Sequence, residues 1–418
     1  MKIFSKFFIL TLVAGLSVMT GKGQEERDYL YKPFQVTVFP PIGTNGIDSR
    51  ECVNKISLNL LWGVNAGLQG IEFGGIANIE RDFVKGAQFA GVANIVRGSV
   101  TGLQVSHLVN LVDGDFLGAQ ITGFGNFNRG EFRGIQYAGF GNFNDGGIYG
   151  ISGSGFINTA IEVRGLQGAG FINITDQLLG VQAAGFMNIS DFVTGLQVSN
   201  FMNIGDEVHG AQVAGFMNIA GDIDGAQVGG FINTAETVKG VQVGFINIAD
   251  NYEAGVPIGF INIVKNGYHD FEISGSEIWD FNFGYRLGVD RLYTQFMVGS
   301  RWDRHDKFWG FGLGVGSRFH ITRYFKGSVD LLSYQLIDNR HLYANHPNLL
   351  EQVRFTLEGR ILKDLKWFIG PTFNILVRPF EYPEPAFLEH LDPWTLYENA
   401  SGVSYLKMWP GISGGIRF

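Results

Sequence analysis

The chain has little cysteine, little charge and no long apolar run. Of its 418 residues only Cys52 is a cysteine, so no internal disulfide can form. No segment reaches the roughly 18 consecutive apolar residues that a transmembrane helix requires. Charged residues make up 17% of the chain and leave a net charge of −8, so nucleic acid is not an expected partner. These shortages exclude a disulfide-stapled domain, a helical membrane protein and a nucleic-acid-binding protein.

The N-terminus has the pattern of a secretory signal peptide. Lys2 and Lys6 flank the start of an apolar run over residues 7–19, and small residues follow around Gly21. The run is too short to span a bilayer as a helix. We therefore predict a signal peptide over residues 1–23, followed by an N-terminal segment over residues 24–54.

Glycine and phenylalanine are abundant, at 60 and 37 residues, which is typical of a β-rich or repetitive chain. The segment GVQAAGFMNISDFVTGLQVSNFMNIGDEVHGAQVAGFMNI shows a unit that recurs from residue 65 to residue 265. An asparagine returns every 14 to 16 residues, a Phe stands two residues before it in the last ten copies, and Gly-x-Gln precedes most copies. Such regularity indicates one structural unit copied thirteen times. The recurring asparagines are Asn78, Asn94, Asn110, Asn126, Asn142, Asn158, Asn173, Asn188, Asn203, Asn218, Asn233, Asn247 and Asn262.

Two architectures fit these repeats. In a β-solenoid each copy is one coil, and equivalent residues stack about 4.8 Å apart. In one larger β-barrel each copy is instead one strand. The last two copies, GVQVGFIN and GVPIGFIN, lack one residue before the Phe. A deletion inside a strand would send every later side chain to the opposite face, whereas a corner tolerates it. We therefore predict a solenoid of about 13 coils, with the larger barrel as the alternative.

A solenoid explains why the same polar residue types recur. Stacked amide side chains can hydrogen-bond from coil to coil, and Phe rings can stack beside them. We expect a structural ladder in which equivalent residues of successive coils are in contact. Its members are Asn173, Asn188, Asn203, Asn218 and Asn233; Phe171, Phe186, Phe201, Phe216 and Phe231; and Gln182, Gln197, Gln212 and Gln227.

Acidic residues recur at one position of the repeat. Between residues 63 and 265 there are 17 acidic and 8 basic residues, a net charge of −9. A column of carboxylates could bind calcium, although Asp is also common in solvated turns for local reasons. We favour turns, so we predict no metal and no cofactor. The candidate column, three residues after the asparagine, is Asp176, Asp191, Asp206, Glu236 and Asp250.

A strict alternation of apolar and polar residues begins after the repeats. Segments of about ten residues with this alternation are the signature of transmembrane β-strands. The terminal aromatic residue Phe418 resembles the C-terminal assembly signal of bacterial outer-membrane proteins. We predict a C-terminal barrel over residues 266–418, which gains its first strand from residues 55–64 ahead of the repeats. The eight predicted strands are 55–64, 279–289, 291–301, 308–321, 325–337, 352–362, 366–378 and 409–418.

The predicted connections alternate between short and long. Short turns of such barrels face the periplasm and long loops face outside. By this rule the repeats, inserted between the first two strands, would be displayed outside the cell. A barrel of eight strands is filled by its own side chains. The predicted inward residues are Asp280, Arg286, Arg318, Asp330, Arg354, Glu358, Arg360 and Arg378.

No catalytic motif accompanies this architecture. Four histidines lie in predicted outer loops near acidic residues, where a general base could be placed. Their spacing fits no known metal or catalytic pattern, so we interpret them as solvated loop residues. An outer-membrane enzyme and a channel remain the alternative functions. The four histidines are His305, His341, His346 and His390.

The stretches FQVTVFPPIGTNG and NKISLNLLWGVNAG, together with the Gly-x-Gln-x-x-Gly-x-x-Asn repeats, carry a resemblance. They resemble a group of uncharacterised outer-membrane surface repeat proteins of Gram-negative bacteria, over nearly the whole mature chain. The fifteen-residue copies here, with Phe at nearly every turn, depart from the shorter GVQVGFIN form of that group. The resemblance implies an outer-membrane location and no enzymatic activity. The expected partners are outer-membrane lipid, the insertion machinery and an unknown surface ligand.

Overall fold

The computed structural model describes residues 28–302, 307–338, 348–379, 394–400 and 404–418. Over these residues the fold is all-β, and a 3-10 helix spans Gly46–Glu51. No helix in the described part of the chain is long and apolar enough to cross a membrane. The predicted signal peptide lies outside these residues. Two units follow one another, a solenoid and then a barrel, which confirms the predicted all-β solenoid and eight-stranded barrel.

The first unit is a stack of coils in which neighbouring strands pair in parallel, except that Ile42–Gly43 pairs antiparallel with Leu30–Phe39. Each repeat asparagine pairs with the asparagine of the next coil, as Asn188 does with Asn203. Strands of the regular coils are 12 to 13 residues long because one strand bends through three sides of the coil. Its strands are Leu30–Phe39, Ile42–Gly43, Cys52–Asn59, Trp62–Gly74, Ala77–Ala90, Ala93–Val96, Ser99–Ser106, Val109–Val112, Phe116–Thr122, Gly125–Asn128, Phe132–Ala138, Gly141–Asn144, Gly147–Ser154, Ile157–Ala169, Ile172–Ala184, Met187–Ser199, Met202–Ala214, Met217–Ile219, Asp222–Gly229, Ile232–Val243, Ile246–Ile258 and Ile261–Val264.

One coil shows how the repeat is used. Within Met187–Ser199 the buried side chains are Asn188 and Ser190, then Val193, then Gln197 and Ser199. These groups mark three sides, which we call the asparagine side (187–190), the valine side (192–194) and the glutamine side (196–199). The apolar interior comes mainly from the valine side, whose stacked Val, Leu, Ile and Phe residues form one continuous core.

The glycine of each Gly-x-Gln forms the corner between the valine and glutamine sides. Gly165 has a φ of +138°, a conformation that side chains other than glycine rarely adopt. A Cβ placed there would lie 2.1 Å from the carbonyl oxygen of Gly150 in the preceding coil. The coils can therefore stack at this corner only because it carries glycine.

The solenoid begins earlier in the chain than predicted. Residues 55–64 were predicted to be a barrel strand, but Cys52–Asn59 pairs in parallel with Leu30–Phe39 and with Trp62–Gly74. This segment is therefore a coil of the solenoid. It alternates because Ser57 and Asn59 point into the coil while Leu58 points outward. A solenoid with a polar interior thus shows the same period-two pattern as a barrel strand.

The second unit is a closed antiparallel barrel of eight strands. Tyr268–Ser276 pairs with Phe281–Val289 on one side and with Ser404–Arg417 on the other, which closes the sheet. The solenoid consequently precedes the barrel and is not inserted between two of its strands. Seven of the predicted strands are present with small shifts of their ends. The barrel strands are Tyr268–Ser276, Phe281–Val289, Leu292–Trp302, Lys307–His320, Phe325–Asp338, Leu349–Arg360, Lys366–Pro379 and Ser404–Arg417, with a short Tyr397–Asn399 paired outside them.

Candidate functional site

The repeat asparagines form a continuous hydrogen-bonded ladder. The Nδ2 of Asn188 donates to the Oδ1 of Asn203 at 2.9 Å, and Asn203 donates in turn to Asn218 at 3.0 Å. The second N–H of Asn203 is used by the carbonyl of Val213 at 2.8 Å. The ladder runs without a break from Asn59 to Asn262 with N···O distances of 2.8 to 3.0 Å. Both donors and the acceptor of the Asn203 amide are therefore occupied.

The glutamines form a second, interrupted ladder. Gln197 donates to Gln182 at 3.0 Å, and the same contact joins Gln182, Gln212, Gln227 and Gln242 to their neighbours. At Ser152 the side chain is too short to accept from the next coil. The buried Nε2 of Gln167 is consequently left without a hydrogen-bond partner.

The last rung of the glutamine ladder is closed by a tyrosine. Pro257 occupies the glutamine position of the final coil and offers no amide. The hydroxyl of Tyr252 donates instead to the Oε1 of Gln242 at 2.5 Å. Burial raises the pKa of Tyr252, so this hydroxyl keeps its proton and remains a donor.

The phenylalanines stack as a ridge on the outside of the solenoid. Neighbouring ring centroids from Phe124 to Phe260 lie 4.8 to 5.7 Å apart, and the ring planes diverge by 3° to 22°. Phe201 keeps 37% of its surface exposed and Phe245 keeps 46%. The ridge is therefore a surface feature, unlike the buried asparagine ladder beside it.

Charged residues are confined to one flank of the coil. From residue 86 to residue 264, every Asp, Glu, Lys and Arg lies three to seven residues after a repeat asparagine. These positions form the valine side and the corner before it, which we call the charged side. The outer surfaces of the asparagine and glutamine sides carry Ile, Met, Leu, Val and Ala, and the Phe ridge lies between them. We call this uncharged surface the apolar wedge.

The proposed acidic column lies within the charged side. Asp176, Asp191 and Asp206 stand at the same corner of consecutive coils and are exposed or half-exposed, as is Asp250 further along. In the described part of the chain no three acidic, histidine or cysteine side chains gather as a metal site. The position agrees with solvated turns.

Two carboxyl groups are buried in the first coils, which sequence reasoning missed. Glu72 and Glu80 have no exposed surface, and Asn65 donates to both, at 3.1 and 2.9 Å. Glu72 also accepts from Asn59 and Gln88, each at 2.8 Å, whereas the Oε2 of Glu80 has no hydrogen-bond partner. Burial and the adjacent Glu72 raise the pKa of Glu80 well above its usual range. This shift favours the protonated, uncharged form of the Glu80 carboxyl group.

The barrel lumen holds a network of buried ion pairs. Glu272 accepts from Arg286 at 2.6 Å, from Arg354 at 2.7 Å and from Arg417 at 3.0 Å. Asp330 bridges Arg286 and Arg354 at 3.0 Å each. Pairing of this kind is what allows charge in a narrow, low-dielectric space. Of the predicted inward residues, Arg286, Arg318, Asp330, Arg354, Glu358 and Arg378 face the lumen, whereas Asp280 and Arg360 are exposed.

The other half of the lumen is closed by aromatic and aliphatic side chains. Trp279, the first residue of the predicted strand 279–289, lies inside the barrel with 2% of its surface exposed. The hydroxyl of Ser276 accepts from the backbone N–H of Trp279 at 3.1 Å, and this turn directs the indole inward. Gly299 and Gly310 leave room for the ring. Tyr334, Trp409 and several leucines complete this packed cluster.

The outer wall of the barrel is apolar. Its outward side chains include Phe283, Phe311, Leu331, Phe355 and Ile412, each between 50% and 57% exposed. Phe418 lies on this wall at the end of the last strand, where it exchanges two backbone hydrogen bonds with Phe271 at 2.9 and 3.0 Å.

The last coil of the solenoid packs against this wall. The ring of Phe260, at the end of the Phe ridge, meets Phe296 edge-on at 5.4 Å between centroids. Leu287 and Thr294 point outward from the barrel, yet they are only 5% and 7% exposed because the last coil covers them. A mainly apolar groove of about 470 Å³ continues from Phe260 along the wall past neighbouring strands.

His305, His341, His346 and His390 lie outside the described residues. Comparison with known proteins adds no relative: no protein-family profile, no curated protein and no solved structure matches the chain. The fold itself defines the class, a parallel β-solenoid joined directly to a closed eight-stranded antiparallel barrel.

Proposed function

We propose that this protein is a non-enzymatic component of the Gram-negative outer membrane, anchored there by its barrel. The observation that carries this proposal is the inverted polarity of the barrel, with charged side chains such as Glu272 and Arg354 inside and an apolar wall outside. A water-soluble barrel would instead bury its apolar face. A membrane-spanning sheet must leave no strand edge open to lipid, and the closed antiparallel barrel meets this requirement.

Three features of the sequence support an outer-membrane location. The N-terminal pattern is that of a secretory signal peptide. Phe418 resembles the terminal residue of the assembly signal that the insertion machinery reads, and the repeats resemble those of Gram-negative surface proteins. The insertion machinery and outer-membrane lipid are accordingly the proposed partners, alongside an unidentified ligand of the solenoid.

The barrel serves as an anchor in this proposal, and the solenoid has a structural or binding role. The ion pairs around Glu272 and the cluster around Trp279 fill the lumen, which disfavours a channel. The ladder amides are engaged with one another and so are not free for chemistry. No cofactor is required by either unit.

The orientation proposed here differs from the one that the sequence predicts. The chain enters the barrel at Tyr268, at the end that carries the short connections 290–291, 321–324 and 361–365. At the opposite end longer stretches of sequence separate Asp338 from Leu349 and Pro379 from Ser404. Because short turns face the periplasm, we place the solenoid on the periplasmic side.

Labelling of single cysteines in intact cells tests this topology. A membrane-impermeant maleimide should label Trp394→Cys, on the long-loop side, in intact cells. Lys363→Cys, in a short turn, and His209→Cys, on the solenoid, should react only after the outer membrane is permeabilised. Wild type is the background control because Cys52 is buried. Labelling of His209→Cys in intact cells would instead support display of the solenoid outside the cell.

Deletion of Phe418 tests the anchor itself. The folded barrel should migrate differently on gels before and after heating, because closed barrels resist detergent. Without Phe418 the heat-modifiable form in the outer membrane should decrease, whereas the aromatic replacement Phe418→Trp should retain it. Unchanged assembly of the deletion variant would contradict the assigned role.

A further inference from the structure

The apolar wedge is too large to be an ordinary exposed surface. Its two sides are each about four residues, or about 13 Å, wide, and about twelve coils extend over nearly 60 Å. The two sides together therefore cover roughly 1,500 Å². The largest apolar patch of a typical monomer is about 300–600 Å². A surface of this size and uniformity indicates a permanent apolar neighbour.

The last coil shows which neighbour this is. In that coil Phe260 of the ridge lies against Phe296 of the barrel. Phe296 is four residues from the start of the strand Leu292–Trp302, so this contact lies about 13 Å along the barrel wall from that end. Gly267, three residues beyond the last solenoid strand, lies close to the Gly288 carbonyl at the barrel end. The ridge thus points toward the middle of the wall, and the charged side, with Lys265 and Asp250, lies near the end with short turns.

The wedge is consequently continuous with the surface of the barrel that faces lipid. Building on the proposed anchoring, we propose that the solenoid lies in the periplasmic leaflet of the outer membrane. Its Phe ridge and the two flanking sides contact lipid acyl chains, and its charged side faces the aqueous periplasm. The solenoid would then act as an interfacial element, in the manner of an amphipathic helix lying in a membrane surface.

The backbone of the solenoid meets the requirements of this position. Polar backbone groups in lipid must be hydrogen-bonded internally. Along the stack each strand pairs with both neighbours, so only the two terminal coils have open edges. One terminal coil packs on the barrel, and at the other Leu30–Phe39 has an outer edge partly covered by Ile42–Gly43.

The wedge sequence meets a second requirement, the absence of charge. The eleven or so residues from each Gly-x-Gln glycine to the second residue after the asparagine contain no Asp, Glu, Lys or Arg in any coil from residue 86 to residue 264. His107 and Tyr137 are their only ionisable side chains. On the lipid face of a barrel an Arg or Lys costs about 2–4 kcal/mol at the bilayer centre, and an Asp or Glu costs less, so contact with acyl chains explains the exclusion.

Collision measurements on spin-labelled protein test this proposal. The full chain is reconstituted in vesicles of phosphatidylethanolamine and phosphatidylglycerol, with one label at a time. Val198→Cys probes the glutamine side, Met202→Cys probes the asparagine side, and His209→Cys is the matched control on the charged side. Leu313→Cys, on the exposed barrel wall, reports whether the barrel itself is inserted.

Labels at 198, 202 and 313 should collide with oxygen, which partitions into lipid, and lose collisions with an aqueous nickel complex. The label at 209 should show the reverse preference. Exposure of 198 and 202 to nickel with 313 in lipid would overturn the wedge proposal alone, whereas exposure of 313 would refute the anchor. If the labels at 198 and 202 were protected from both reagents and their spectra were broadened by a neighbouring label, a second copy of the chain would cover the wedge. That result would also overturn the wedge proposal.

Discussion

Replacement of Asn203 by leucine tests the ladder at its centre. Asn203 accepts from Asn188 at 2.9 Å and donates to Asn218 at 3.0 Å and to the carbonyl of Val213 at 2.8 Å. The change leaves one donor of Asn188, the acceptor of Asn218 and one carbonyl without their partner. Each unsatisfied buried group costs about 1–3 kcal/mol, so the three together cost about 3–9 kcal/mol.

Two further contributions nearly cancel. Burial of the leucine side chain stabilises by about 1.5–3 kcal/mol. Its extra volume in a close-packed coil costs about 1–3 kcal/mol. The destabilisation is therefore dominated by the broken ladder. Because each coil contacts only its two neighbours, we expect the solenoid to open locally while the barrel stays folded.

Chymotrypsin digestion followed by mass spectrometry measures this opening. Asn203→Leu should be cut at Phe201, and the C-terminal fragment that begins at Met202 and contains the barrel should keep its heat-modifiable migration. The matched control is Asn200→Leu, the same exchange at an exposed corner of the neighbouring coil, which should be cut no faster than wild type. Equal cleavage of the two variants, or loss of the folded barrel in Asn203→Leu, would refute the reasoning.

Three further changes test other parts of the coil. Gly165→Ala should destabilise the solenoid by at least about 1–3 kcal/mol, because Gly165 has a φ of +138° and an added Cβ would meet the carbonyl of Gly150. The control Gly168→Ala should be tolerated, because no atom lies within 4 Å of a Cβ added there. Urea-dependent proteolysis would show equal midpoints if the corner did not require glycine. Ser152→Gln should supply the hydrogen-bond acceptor that Gln167 lacks and stabilise the solenoid by about 1 kcal/mol. An unchanged midpoint in the same assay would show that this ladder does not contribute to stability. Folding raises the pKa of Glu80, so its contribution to stability is fully present below the unfolded pKa and is lost as pH rises through the folded pKa. Glu80→Gln should therefore flatten the pH dependence of the urea midpoint of unfolding. An unchanged pH profile would contradict a buried Glu80 with a raised pKa.

Much of the solenoid is determined by local sequence. The spacing of the asparagines predicts the register, because identical coils can stack only with equivalent residues aligned, and Asn188 does pair with Asn203. The single-residue deletion before Phe245 falls at a corner, as the argument from side-chain alternation requires. In the barrel, seven strands follow from period-two alternation because each strand has one face in the lumen.

Only the tertiary structure decided which strand closes the barrel. The alternation of residues 55–64 reports a polar interior and an apolar exterior, and a coil satisfies that pattern as well as a barrel strand does. The burial of Glu72, Glu80 and Trp279 was likewise decided only by the tertiary structure, because the residues that surround them come from segments distant in sequence. Alternation specifies which side chains share a face of a strand. The neighbouring strand is instead determined by long-range pairing, and that pairing fixed where the solenoid ends and the barrel begins.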